Sequence, residues 1–289
     1  MAVKTEQYYV PAQSPWPIVG ALGLFLLASG AGLWAAGIGG IAGPLVFAAG
    51  TLVMTVMLFG WFGNVIKESH DGLYSEQMDR SFRQGMSWFI FSEVMFFGAF
   101  FGALFYARIL AVPWLGGAGN NAMTNAVLWP DFSASWPLLQ TPGGIETTAM
   151  GWFGLPLINT VILLTSSVTA HLAHLALLRE QRPRLKQWLG LTVILGLTFL
   201  TLQVWEYVHA YEELGLRLDS GIYGNTFFLL TGFHGAHVTL GTLMLFIMWL
   251  RVRKGHFTPA QHFGFQASSW YWHFVDVVWL CLFVFVYIL

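Results

Sequence analysis

Seven apolar stretches, at about 16–37, 41–65, 85–110, 152–177, 188–210, 224–250 and 266–288, take up most of this 289-residue sequence. Each is close to the roughly 20 residues an α-helix needs to cross about 30 Å of hydrocarbon. Periodicity therefore gives way to length as the deciding signal, and the predicted fold class is an all-α integral membrane protein with seven transmembrane helices. Charge agrees: 9% of the residues are charged, against about 25% in a soluble domain. The 13 basic residues form no stripe and the net charge is -1, so no nucleic-acid partner is expected.

The basic residues sort by side once the spans are marked. Lys4, Lys67, Arg80, Arg83, Arg179, Arg182, Arg184, Lys186, Arg251, Arg253 and Lys254 fall on one side, leaving Arg108 and Arg217 on the other. The positive-inside rule then puts the N-terminus in the cytoplasm and the C-terminus outside. The polar segment Met1 to Pro15 precedes an apolar run too long for a cleaved signal, so residue 1 is expected to be mature. The lone cysteine, Cys281, lies in the last span and excludes disulfides within the chain.

Spacing divides the spans as 2 + 5. The turn Gly37-Ile-Gly-Gly-Ile-Ala-Gly-Pro44 ties the first two into a hairpin, giving an N-terminal unit 1–66. A linker of mixed charge, 67–84, is expected before a five-helix bundle at 85–289. Within that bundle the connection 111–150 has no Lys or Arg, four prolines (113, 130, 137, 142) and five glycines (116, 117, 119, 143, 144). Loops of such length are usually functional or covered, so an external cap or an interface with another subunit is expected here; a mobile loop is the alternative.

Ionisable side chains at membrane depth are costly, roughly 3 kcal/mol for a central aspartate, and mark inward-facing or functional positions. Glu93 sits about eight residues, or roughly 12 Å, into its span, too deep to reach water, and is expected to be protonated or paired. It reads as a proton-exchanging carboxyl or as a neutral acid bonded to a neighbouring helix. His273 and Asp276 are one turn apart on one helix face, read as a polar lock between helices or a proton relay. His234 and His237 lie one turn apart at a depth similar to His273. They suit hydrogen bonds across a close helix seam opened by Gly232 and Gly235, or axial ligation of haem. His171 and His174 are expected at the inner interface, Glu206 and His209 at the outer one. No thiolate cluster, CxxC, P-loop or nucleophile elbow occurs.

Six stretches together resemble cytochrome c oxidase subunit III of the haem-copper oxidases. They are Ser14-Pro-Trp-Pro, Phe89-Ile-Phe-Ser-Glu-Val-Met-Phe-Phe, Leu202-Gln-Val-Trp-Glu-Tyr, Ser220-Gly-Ile-Tyr-Gly-Asn-Thr-Phe-Phe, Thr231-Gly-Phe-His-Gly-Ala-His-Val, and His262-Phe-Gly-Phe with Trp270-Tyr-Trp-His-Phe-Val-Asp-Val-Val-Trp279. The resemblance implies a V-shaped 2 + 5 bundle whose cleft holds phospholipids. It also implies no catalytic residue, haem, copper or other metal in this chain, those centres belonging to partner subunits. Subunit I is the implied direct partner, with subunit II in the same complex and small accessory subunits besides. Glu93 matches the family's carbodiimide-reactive intramembrane glutamate.

Two departures stand out. The family often carries an arginine after a tryptophan pair at the end of the second span, where it binds a lipid phosphate. Here the run is Trp61-Phe-Gly-Asn-Val-Ile-Lys-Glu, so lipid binding is expected at Trp61 with Lys67 or Arg251 supplying the charge. A family glutamate before Trp270 is Gln266. The implied function is an accessory subunit of a proton-pumping aa3-type cytochrome c oxidase in a bacterial cytoplasmic membrane, supporting proton uptake and the stability of subunit I. The alternatives are subunit III of a quinol oxidase, a b-type haem carrier, and an independent proton channel or transporter; the last lacks the inverted repeats and broken helices of its class.

Overall fold

The computed structural model describes residues 9–10, 13–141 and 144–289. Lys4, most of the polar N-terminus, Pro142 and Gly143 lie outside them. Among the described residues there are nine α-helices: α1 Trp16–Ala35, α2 Ala42–His70, α3 Glu76–Phe105, α4 Val112–Leu115, α5 Ala122–Leu128, α6 Leu155–Leu178, α7 Arg182–Glu212, α8 Ile222–Arg253 and α9 Phe263–Leu282. A π-helical segment, Tyr106–Ala111, carries α3 into α4, and another, Phe283–Ile288, extends α9. Seven helical stretches are long and apolar enough to cross a membrane.

Several helices overrun the apolar segments that reveal them, because backbone hydrogen bonding does not stop where the hydrocarbon does. Residues 67–84, expected as a linker, are helical except at 71–75: α2 runs on to His70 and α3 starts at Glu76. The break falls at Gly72, whose φ of 71° suits the left-handed turn that ends a helix. Leu73 N–H then closes onto Glu68 O at 3.2 Å.

The chain divides into two compact units, residues 1–84 and 85–289. In the first, α1 and α2 form an antiparallel hairpin. Its turn places Gly37, Gly39 and Gly40 at positive φ. Glycines then bring the two backbones together in one register: a methyl group at Gly30, Gly43 or Gly50 would fall onto the main chain of Phe47, Trp34 or Leu27 of the facing helix. Gly23 and Gly20 face Met54 and Met57 in the same register. Close approach of small residues is the usual route to dispersion contact where lipid removes the hydrophobic driving force.

In the second unit α6 and α9 run antiparallel, and the seam is polar. Trp279 Nε1 donates to Thr160 Oγ1 at 2.9 Å, Trp272 Nε1 to Ser166 Oγ at 3.0 Å, and Ser167 Oγ pairs with His273 Nδ1 at 2.6 Å. Trp272 is fully buried. Its ring sits in a notch where Gly196 of α7 and Gly241 of α8 have no side chain, and a methyl group at either would strike the indole. One tryptophan thus ties α6, α7, α8 and α9. Thr169 and Thr192 bond α6 to α7 at 2.8 Å.

The long connection is only partly irregular. Its first half holds α4 and α5; its second half turns at Gln140 and Glu146, which form an antiparallel bridge, and lies on the α7–α8 loop. Thr148 N–H bonds Leu214 O at 3.0 Å, Met150 N–H bonds the Tyr223 hydroxyl at 3.2 Å, and Trp136 packs edge-on against Tyr223.

Candidate buried proton-exchange site

Glu93 on α3 meets His237 on α8: Oε2 and Nε2 are 2.7 Å apart. The two side chains are 21% and 13% exposed. The pair is boxed by rings, with Phe97 edge-on to the imidazole at 4.9 Å between centroids and Tyr271 stacked on it at 6.3 Å. Neighbouring contacts pin α3 against α8 and α9, among them Phe96–Phe233, Phe89–Tyr271 and Phe97–Phe274.

The hydrogen bonds fix the proton count. His237 Nδ1 lies 2.6 Å from Phe233 O, and a carbonyl oxygen only accepts, so Nδ1 carries a proton. One further proton then occupies the Oε2–Nε2 contact. It belongs either to a carboxylic acid donating to a neutral imidazole or to an imidazolium donating to a carboxylate. In both forms the pair is neutral overall, which avoids the several kcal/mol penalty of one uncompensated charge in low dielectric. Moving the proton by a fraction of an ångström interconverts the two forms within the contact, and the pair stays neutral in both.

The other intramembrane groups are placed differently. His234 is fully buried, with Nε2 donating to Val275 O at 3.2 Å and its ring against Trp279 and Phe199. His273 bonds Ser167 of α6 rather than Asp276, whose Oδ2 is 3.9 Å from Nδ1, beyond hydrogen-bond reach. Asp276 is 4% exposed, and neither carboxyl oxygen has a hydrogen-bond partner. The two share a helix face at ion-pair distance, while the ring's hydrogen bond goes to the α6 hydroxyl. Trp61 and Lys67 are exposed on α2. Arg251, half-buried on α8, lies over the Phe257 ring at 4.3 Å and donates to His256 Nδ1 at 3.4 Å.

Two residues expected near span ends also gain partners inside the bundle. Glu206, expected at the outer interface, is 0% exposed and its Oε1 accepts from Tyr287 Oη at 2.6 Å. The C-terminal π-helical segment reaches across to α7 and carries Tyr287 there. His174, expected at the inner interface, turns partly into the bundle and pairs Nε2 to Nε2 with His262 at 3.3 Å. His171 is exposed; His209 is half-buried and pairs with Glu213 at 3.2 Å. Gln203, Glu206 and Tyr207 form an i, i+3, i+4 polar stripe on α7, and that spacing is the signal that could have placed Glu206 inside. Gln203 Nε2 donates to Thr231 O, and Tyr207 Oη pairs with Thr231 Oγ1. Among the described residues, no group of three His, Cys, Asp or Glu is arranged to hold a metal ion.

Residues 6–289 match the family described as Cytochrome c oxidase subunit III. The chain is 38% identical to proteins named cytochrome c oxidase subunit 3 from Equus caballus and Formosania lacustris, over 99% of this chain and 98% of each relative. It is 38% identical to the protein of that name from Pisaster ochraceus, over 97% of this chain and 96% of the relative. Glu93 and His237, Trp272 and its glycine notch, and the polar face of α7 all lie within the matched residues, and the chain belongs to the cytochrome c oxidase subunit III family.

Proposed function

We propose that the chain is an accessory, cofactor-free subunit of a proton-pumping aa3-type cytochrome c oxidase. Its partners carry electrons from cytochrome c to oxygen on their haem and copper. The chain packs against subunit I, with subunit II in the same complex, binds phospholipid at Trp61 with Lys67 or Arg251 supplying the charge, and supports proton uptake and the stability of subunit I. Its location is a bacterial cytoplasmic membrane with the N-terminus inside. Subunit III of a quinol oxidase is the nearer alternative, and oxidation of reduced cytochrome c rather than quinol by the purified complex decides between them.

The observation that carries the reading is the one-proton Glu93–His237 contact between α3 and α8. It gives the chain a group that holds and exchanges a proton. The imidazoles are also engaged elsewhere: His234 Nε2 on a backbone carbonyl, both nitrogens of His237, and His273 Nδ1 on a hydroxyl. That bonding supports the cofactor-free assignment over axial haem ligation by these residues.

Affinity purification of the chain from native membranes tests the proposal, which requires haem- and copper-bearing subunits to travel with it. A chain that purifies alone and conducts protons in vesicles, or alone with a Soret band, defeats it. Glu93→Gln sharpens the test, because the glutamine amide can donate to His237 Nε2 as a carboxylic acid does. Assembly stays within about 1 kcal/mol of wild type while carbodiimide labelling of the position disappears. Loss of the whole complex in this variant would make the carboxyl structural.

A further inference from the structure

The α6–α7 elbow holds a cavity of about 220 Å³ lined by Leu172 and Leu175 of α6, Arg179 and Gln181 of the elbow, and Arg184 and Trp188 of α7. Its two halves differ in chemistry. The elbow end presents two guanidiniums, and neither Arg179 nor Arg184 is in an ion pair among the described residues. Arg184 Nη1 donates to Gln181 Oε1 at 3.1 Å, which uses one of the five donors a guanidinium offers. No carboxylate lines the space. The opposite wall is leucine and tryptophan on two membrane-spanning helices. A cationic rim above an apolar wall is complementary to an amphiphile with an anionic head.

A neighbouring cavity of about 270 Å³ supplies the contrast. Glu180 and Arg182 line it with Thr258 and Pro259. Arg182 is already committed there, donating to His256 O at 2.8 Å and to Phe257 O, and Glu180 would repel an anion. Of two adjacent cavities, one has its cation spent on backbone and a carboxylate in its wall. The other keeps two guanidiniums with donors to spare.

We propose that the elbow cavity binds an anionic phospholipid, with Arg179 and Arg184 gripping the phosphodiester and Leu172, Leu175 and Trp188 packing on the glycerol and upper acyl chain. Guanidiniums suit phosphate because their planar donors meet two oxygens at once. Free phosphate has no apolar part to use the leucine and tryptophan wall. A choline head brings its own cation beside the two arginines, so zwitterionic lipid is disfavoured. The site shares no residue with Trp61, Lys67 and Arg251, and the two assignments fail independently.

Photoactivatable phosphatidylglycerol tests this on the chain purified with whatever subunits accompany it, in nanodiscs of phosphatidylcholine. Crosslinks are expected in the segment 172–188, and Arg179→Gln with Arg184→Gln lowers labelling there at least about tenfold, given roughly 1 kcal/mol per basic residue at the headgroup level. Arg179→Lys with Arg184→Lys retains most of it. Unlabelled phosphatidylglycerol competes and phosphatidylcholine does not. Labelling spread evenly over the helices, equal competition by phosphatidylcholine, or displacement by inorganic phosphate, which would make this a free-anion site, each overturns the proposal. The competition arms use the wild-type chain and stand even if the glutamine variant fails to assemble.

Discussion

The α1–α2 hairpin and the α6–α9 seam hold membrane helices together by opposite means. In the hairpin the contact is backbone on backbone, through Gly30, Gly43 and Gly50, and the hydroxyls of Ser29, Thr51 and Thr55 turn back onto carbonyls of their own helices. In the seam the contact is large ring on small hydroxyl, through Trp272–Ser166 and Trp279–Thr160. The first relies on dispersion at very short range and tolerates no added atom. The second relies on a filled notch and a directed bond, and tolerates no deletion. Removed volume should therefore cost far more in the seam than in the hairpin.

Trp272→Ala is the strongest attack on the seam, expected to cost about 3–5 kcal/mol because it empties the notch of Gly196 and Gly241 as well as breaking the bond to Ser166. Ser166→Ala removes the Trp272 bond and the hydroxyl's own bond to Leu163 O but leaves the notch filled, and intramembrane hydrogen bonds average about 0.6 kcal/mol each. In the hairpin, Gly43→Leu is expected to separate the helices, while Met57→Ala is mild. Unfolding of the purified chain in mixed micelles, followed by tryptophan fluorescence, ranks the four. A Ser166→Ala loss as large as that of Trp272→Ala would break the comparison, since the bond and not the packing would then carry the seam.

Glu206 and Tyr287 give an intermediate effect. Tyr287→Phe leaves a fully buried carboxyl without its donor and is expected to cost about 1–2 kcal/mol while freeing the C-terminal turn. Faster carboxypeptidase trimming of residues 283–289 is the readout, and unchanged trimming counts against the anchor. The pair also shows what sequence could reach. Span number and approximate ends were legible because length and apolarity report directly on hydrocarbon thickness. That Glu93 needs a partner followed from its place within a span, but the partner, His237, is 144 positions away and depends on how α3 lies on α8. The burial of Glu206 was not foreseen because its position near a span end was weighed above its i, i+3, i+4 relation to Gln203 and Tyr207. The Gly196–Gly241 notch was invisible for a similar reason: two glycines on different helices acquire meaning only once a third helix brings Trp272 between them.

The smallest effect sharpens the comparison at the hairpin's wet end, where polar bonds do occur. Tyr74, in the turn between α2 and α3, donates to Glu68 Oε2 at 2.7 Å and packs edge-on against Phe82. Burial, then the bond and charge of Glu68, push its phenol above the ordinary tyrosine range. A phenol that keeps its proton longer in the folded chain than in the unfolded one stabilises the fold fully below about pH 10, the unfolded value. That contribution fades as pH rises from there through the folded value, because only the unfolded chain gains by losing the proton. Tyr74→Phe should therefore cost at most about 0.5–1 kcal/mol at neutral pH, the low end for a partly exposed bond, and this deficit should shrink above pH 10. Parallel stability–pH curves for the two proteins would mean that the Tyr74–Glu68 bond adds nothing to the closure of the turn between α2 and α3.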